Sequence, residues 1–174
     1  MITITRITTP LGPMMAGATA KGICLLEFTD RKSLETEIKQ LQKLLKAPAL
    51  PGQHLHFDQL NRELAEYFAG TRQTFTVPLH TPGTPFQNQV WEELTRIAYG
   101  STRSYKQQAE ILKQPSAIRA VANANGMNRI SILVPCHRVI GSDGNLTGYG
   151  GGIWRKQWLL EHEGKHKNAE DSYS

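Results

Sequence analysis

The sequence predicts a chain in two parts: an α/β N-terminal domain, with a small antiparallel sheet and helices, then a mostly α C-terminal domain containing a helix-turn-helix. Three observations carry this reading. Apolar residues first alternate with polar ones and then recur at helical spacing; Pro78 to Pro85, with three prolines and a glycine, interrupts the pattern; and two short helical segments beyond it are separated by only Gln114-Pro115. The expected domains are 1–82 and 83–164, with a flexible tail over 165–174.

The elements follow in order. Ile2, Ile4 and Ile7 sit near an alternating pattern, Gly12-Pro13 marks a turn, and Ile23 to Phe28 is a second apolar run, so two or three antiparallel strands fit. Leu34, Ile38, Leu41 and Leu45 give a helix over about 31–46, stopped by Pro48, Pro51 and Gly52. A second helix over about 58–69 carries Leu60, Leu64 and Phe68 and ends at Gly70. After the proline-rich linker, Thr84 can cap a helix whose first residue is Pro85, and Phe86, Val90, Trp91, Leu94 and Ile97 form its apolar face before Gly100.

Segments 104–113 and 116–125 then form the helix-turn-helix. Residues 130–135 are a short buried apolar run that delivers Cys136 and His137 to its end, and six glycines between Gly141 and Gly152 permit close backbone approach to something flat or bulky. The last helix, over about 153–163, is expected to bury Trp154, Trp158, Leu159 and Leu160, and His162 and His166 read as surface residues.

Composition narrows the class. With 174 residues, 39% hydrophobic and 20% charged, the chain can bury a core without staples and falls outside the disordered and membrane classes. No apolar run is long enough for a membrane helix and no signal-peptide core opens the chain, so a cytoplasmic protein with free thiols at Cys24 and Cys136 is expected. The net charge of +5 is localised: residues 104–156 hold seven Lys or Arg against Glu110 and Asp143, and residues 111–142 hold four bases and no acid. Such a stretch suits a phosphate backbone, although a solvated basic face would look the same.

Cys136 stands between an apolar run and the basic side chains of His137 and Arg138. Nearby positive charge favours the thiolate, which is the nucleophile, whereas a lone cysteine is more often a small buried hydrophobe.

The run Pro135-Cys136-His137-Arg138-Val139-Ile140-Gly141 resembles the active-site signature of the O6-alkylguanine-DNA alkyltransferases. Further segments match in order: Gly83 to Gln87 with Val90-Trp91, Ser104-Tyr105, Arg119-Ala120-Val121, Asn125-Gly126 with Asn128, Gly148 to Gly152, and Leu159 to Gly164. The resemblance implies direct reversal of DNA damage. Cys136 would take the alkyl group from O6-methylguanine, with O4-methylthymine a second candidate substrate, and would not be regenerated. His137 would act as base through a water, Glu163 would orient it, Tyr105 would donate at guanine N3, and Asn128 would tie the recognition segment to the active-site turn.

Tyr105, Cys136, Val139, Tyr149, Gly150 and Lys156 would contact the substrate base. Double-stranded DNA would be met by Tyr105, Arg119, Ala120, Asn123, Ala124, Gly126, Arg129 and Arg138, with Arg119 filling the gap left by a flipped nucleotide. The protein would work as a monomer, or cooperatively on DNA, without cofactor or metal. Departures from the family pattern fall at Ala98, Ala122, Asn123 and Arg129, where proline, glycine, a small apolar residue and proline are usual; those at Asn123 and Arg129 bear on DNA affinity and hinge rigidity rather than chemistry.

Two other readings remain open at this point. A non-catalytic lesion-binding relative would use the same fold, but such proteins lack the reactive cysteine. A cysteine hydrolase would leave the helix-turn-helix and basic stretch without purpose. His54, His56, His80 and Cys24 suggest a zinc site, yet the ligand count is poor and Cys24 fits an apolar strand.

Overall fold

The computed structural model describes residues 1–167, and the chain divides into two compact units, Met1–Thr84 and Pro85–Ser174. In the first unit the strands are β1 (Ile2–Ile7), β2 (Met14–Thr19) and β3 (Gly22–Phe28), followed by α1 (Leu34–Leu45), β4 (Ala49–Pro51) and α2 (Leu55–Phe68). The three-strand antiparallel meander is as expected, but β4 adds a fourth strand parallel to β1, giving the order β3-β2-β1-β4. A three-residue strand ending in proline carries no alternation to betray it, and as an edge strand it tolerates the missing N–H.

Ile2, Cys24, Leu25 and Leu41 form a core against which Leu34, Ile38 and Leu45 pack, so α1 lays its apolar stripe on the sheet. Cys24 belongs to this core. Helix α2 begins three residues earlier than expected because His54 caps it, its Nδ1 accepting from the His56 backbone N–H. Pro78 to His80, expected as linker, is instead stitched along β3: Ile23 N–H donates to Pro78 O and His80 N–H to Ile23 O, each at 2.8 Å. Gly22 permits this, since a Cβ there would stand 2.5 Å from the Pro78 carbonyl.

The second unit contains α3 (Pro85–Leu94), β5 (Arg103–Ser104), α4 (Tyr105–Ile111), α5 (Ile118–Gly126), β6 (Val139–Ile140) and α6 (Ile153–Lys165). Ser104 and Gln107 form a reciprocal capping box that starts α4. The α4–α5 pair is the expected helix-turn-helix, and Trp91 of α3 secures it by donating from Nε1 to Ala124 O at 2.9 Å. The 130–135 run is buried but folds as a turn, with Ile132 at φ 74°.

Helix α6 departs from expectation in its buried face. Arg155, Lys156, Leu159, His162 and Glu163 point inward, whereas Trp154 is 57% exposed and Trp158 lies at the boundary. The charged side chains take the interior because each finds a partner there. His162, expected at the surface, is buried and stacks on Trp158 with ring centroids 4.8 Å apart. The expected tail lies outside the described residues from 168 onward, and Lys165 is the last residue of α6.

Candidate active site

The segment between α5 and α6 gathers the chemistry. Cys136 opens a single 3-10 turn, Cys136–Arg138, and is half-buried; its N–H donates to Val134 O at 2.8 Å. Asn128, leaving α5, is 3% exposed and braces this turn. Its Nδ2 donates to Val134 O at 3.0 Å and reaches Cys136 Sγ at 3.3 Å, while its Oδ1 accepts from Ile130 N–H at 3.0 Å. Both ends of the amide are therefore used, as only a side chain with donor and acceptor allows.

Behind the cysteine, His137 and Glu163 are wholly buried, with His137 Nε2 2.7 Å from Glu163 Oε2. Arg138 donates to both Glu163 oxygens, from Nε at 2.8 Å and Nη2 at 3.1 Å, and from Nη1 to Ile97 O at 2.7 Å. Burial alone would lift the Glu163 carboxyl, but the hydrogen bonds from His137 and Arg138 and the permanent charge of Arg138 outweigh it and hold it far below the usual carboxylate range. Burial depresses the His137 pKa despite the adjacent carboxylate, which keeps the ring neutral. An ionised Glu163 can only accept, so the neutral imidazole carries its proton on Nε2 and its lone pair on Nδ1. Nδ1 is buried and, among the described residues, meets no hydrogen-bonding group.

On the other side, Tyr105 begins α4. Its hydroxyl donates to Thr147 O at 3.3 Å, and Lys156 Nζ donates to the same carbonyl at 2.8 Å while lying 5.9 Å from the Tyr105 ring centroid. Burial, and then the Cys136 charge, raise the Tyr105 pKa, so the hydroxyl keeps its proton. Burial pulls Lys156 down to about 8, partly offset by that same charge. Tyr105, Arg119, Ala122, Gly126, Tyr149 and Gly150 line a cleft of about 710 Å³. Val139 is fully buried, paired with Arg103 between β6 and β5, and Tyr149 is 9% exposed.

Arg119, Ala120, Asn123 and Gly126 are exposed on α5, as a surface that meets DNA requires. Three residues expected on that surface face inward instead. Ala124 is buried under Trp91, Arg129 is 7% exposed with its guanidinium 5.9 Å from the Trp91 ring centroid, and Arg138 is committed to Glu163. A count of bases along the sequence cannot separate an arginine that neutralises an internal carboxylate from one that meets solvent. Sequence reasoning gave no site role to Arg155, which donates to Gly151 O, or to Asn125, which is 5% exposed and hydrogen-bonded to Tyr105.

In the first unit, His54 stacks on His56 and His80 hydrogen-bonds Thr19. Among the described residues no three His, Cys, Asp or Glu side chains gather as a metal would require, and no helix is long and apolar enough to cross a membrane.

Comparison with known proteins covers both units. Residues 2–81 match the 6-O-methylguanine DNA methyltransferase, ribonuclease-like domain, and residues 85–165 match the 6-O-methylguanine DNA methyltransferase, DNA binding domain. A methylated-DNA–protein-cysteine methyltransferase of Salmonella typhimurium is 42% identical over 169 residues, covering 91% of this chain and 94% of that protein. One from Shigella flexneri is 56% identical over 106 residues, 60% of this chain and 62% of that protein. Among solved structures, an O6-methylguanine methyltransferase of Mycobacterium tuberculosis superposes with a TM-score of 0.81 at 39% identity, covering 99% of each chain. A Mycobacterium tuberculosis OGT in complex with DNA gives 0.80 at 39%, covering 98% of each.

Proposed function

We propose that this chain, which belongs to the 6-O-methylguanine DNA methyltransferase family, repairs DNA by direct reversal, moving the alkyl group from guanine O6 to its own Cys136. The observation that carries the reading is the bracketing of one half-buried thiol: Asn128 touches its sulfur, and His137, oriented by Glu163, follows it in the same turn. That arrangement suits a nucleophile, not a lesion reader.

In the proposed reaction the thiol proton passes through a water to His137 Nδ1, and Glu163 stabilises the imidazolium that results. The sulfur attacks the alkyl carbon, a C–S bond forms and the C–O6 bond breaks. Guanine leaves with the electron pair and takes a proton at N3 from the Tyr105 hydroxyl, which burial keeps protonated. The thiol proton now on His137 and the proton Tyr105 has given up leave an imidazolium and a tyrosinate whose charges cancel, and proton exchange with solvent returns both side chains to their neutral forms. Nothing reverses the S-alkylation, so each molecule acts once.

A stacked base cannot reach the thiol, so the nucleotide must be flipped into the cleft, with Arg119 in the gap. The exposed α5 residues Ala120 and Gly126 are small enough to let the helix approach a groove closely. We further propose that the partner is double-stranded DNA bearing O6-alkylguanine, engaged by a monomer in the cytoplasm, with neighbouring molecules able to bind side by side.

The test is Cys136→Ala on a duplex containing O6-methylguanine. The variant is expected to restore no guanine yet still bind the lesion duplex, because the cleft and Arg119 are untouched. Restoration by the alanine variant would overturn the reading.

A further inference from the structure

Arg155 occupies an unusual place. It lies in the first turn of α6, where the helix dipole disfavours a cation, and it is only 4% exposed, so its charge has given up most of its water. Two contacts offset these costs: Nη1 donates to Gly151 O at 3.1 Å, and the guanidinium stacks over Trp154, 4.6 Å from the ring centroid. Trp154 in turn stays 57% exposed, and its indole edge lies against Gly152, where a Cβ would stand 3.3 Å from Cδ1 and Nε1. Gly152 has φ 93°, and its N–H donates to Tyr149 O at 2.9 Å. Tyr149 and Gly150, which line the cleft, are thus joined directly to a carbonyl and a turn that this pair holds in place.

We infer that Trp154 and Arg155 form a clamp that fixes the loop over Tyr149–Gly152, which makes Arg155 a positioning residue for the transfer. The inference rests on the alkyltransferase reading above. A fixed loop presents the Gly150 backbone and the Tyr149 wall to the incoming base without an ordering cost at the moment of binding. The indole restricts the guanidinium to the rotamer that reaches Gly151, and its exposure is the consequence of lying over the cation rather than in the core.

The test compares the parent protein with Arg155→Met, Arg155→Lys, Trp154→Ala and Trp154→Phe, using the free base O6-benzylguanine as alkyl donor. Single-turnover transfer is followed against donor concentration, and hydrogen exchange of the 141–152 segment is measured in the same samples. Arg155→Met is expected to raise the half-saturating concentration about ten-fold, the loss typical of one hydrogen bond from a charged donor. Arg155→Lys should recover part of that loss, Trp154→Phe should match the parent, and Trp154→Ala should fall between. Exchange should quicken in 141–152 but not in 105–126, and affinity for an unmodified duplex should hold.

Unchanged half-saturation and unchanged loop exchange in both Arg155→Met and Trp154→Ala would overturn the clamp. Exchange that quickens throughout the unit would also overturn it, by revealing a general structural role. A parent protein that transfers no benzyl group would overturn the alkyltransferase reading itself and the positioning role with it, an outcome visible before any variant is made.

Discussion

The carboxylate of Glu163 lies 2.7 Å from Nε2 of His137, and both side chains are sealed from solvent. Because Arg138 supplies a permanent charge to the same carboxylate, Glu163 stays ionised whether or not His137 takes up a proton. The contact therefore has two functions: it selects the tautomer that leaves Nδ1 as acceptor, and it anchors α6 to the turn that carries Cys136.

Glu163→Gln separates these functions only partly. A glutamine amide can donate to Nε2 and stabilise the wrong tautomer, and it leaves Arg138 without a counter-charge. The transfer rate constant is expected to fall by about 10² or more, by analogy with the orienting carboxylate of hydrolase triads. Stability should fall by about 3–5 kcal/mol, the cost of breaking a buried pair. Single-turnover kinetics and a thermal melt check both, and a folded variant with the parent rate would show that His137 does not depend on this partner.

Two carboxyl groups give the stability profile opposite slopes. Glu163 is depressed in the folded chain, so below the ordinary value near 4.5 the unfolded chain binds a proton that the folded one refuses, and stability is lost as the pH falls from about 5. Glu37, on α1, is raised to about 8 by burial, then by the charge and hydrogen bond of Glu27, with Arg31 paired to both. Between 4.5 and 8 the folded chain keeps a proton that the unfolded one has released, so stability is lost as the pH rises through that window. Glu37→Gln should accordingly melt like the parent at pH 5 and a few degrees higher at pH 8.5, where a gain of about 1 kcal/mol moves the melting temperature by about 2–4 °C. The same difference at both pH values would contradict a proton held by Glu37 through that window.

Arg119 is exposed at the edge of the cleft, where it can occupy the space a flipped nucleotide leaves. Arg119→Ala should slow repair of O6-methylguanine in duplex DNA by about ten-fold or more, while reaction with free O6-benzylguanine, which needs no flipping, changes less than about two-fold. Parallel transfer assays decide this, and equal losses on both substrates would remove the finger role.

What the sequence disclosed depended on how local each signal was. The helix-turn-helix was legible because Gln114-Pro115 breaks a helical pattern within a few residues, and Cys136 with His137 because they are neighbours. Arg138 was misplaced because the signal used was charge along the chain, and its partner Glu163 is 25 residues away. Trp154 was misplaced for a related reason: hydrophobicity argued for burial, but Arg155 and Lys156 had carbonyls to bind at Gly151 and Thr147, so α6 turned its charged residues inward. Strand β4 went unseen because three residues contain no period, and its pairing with β1 is a tertiary contact.

The central claim is that Cys136 is alkylated once and permanently. Intact-protein mass spectrometry after incubation with an O6-methylguanine oligonucleotide, followed by peptide mapping, tests it most directly. The account predicts a gain of about 14 Da on the peptide holding Cys136, saturating at one equivalent, as capture without release requires. No mass change while the oligonucleotide stays selectively bound would contradict it and identify the protein as a lesion reader.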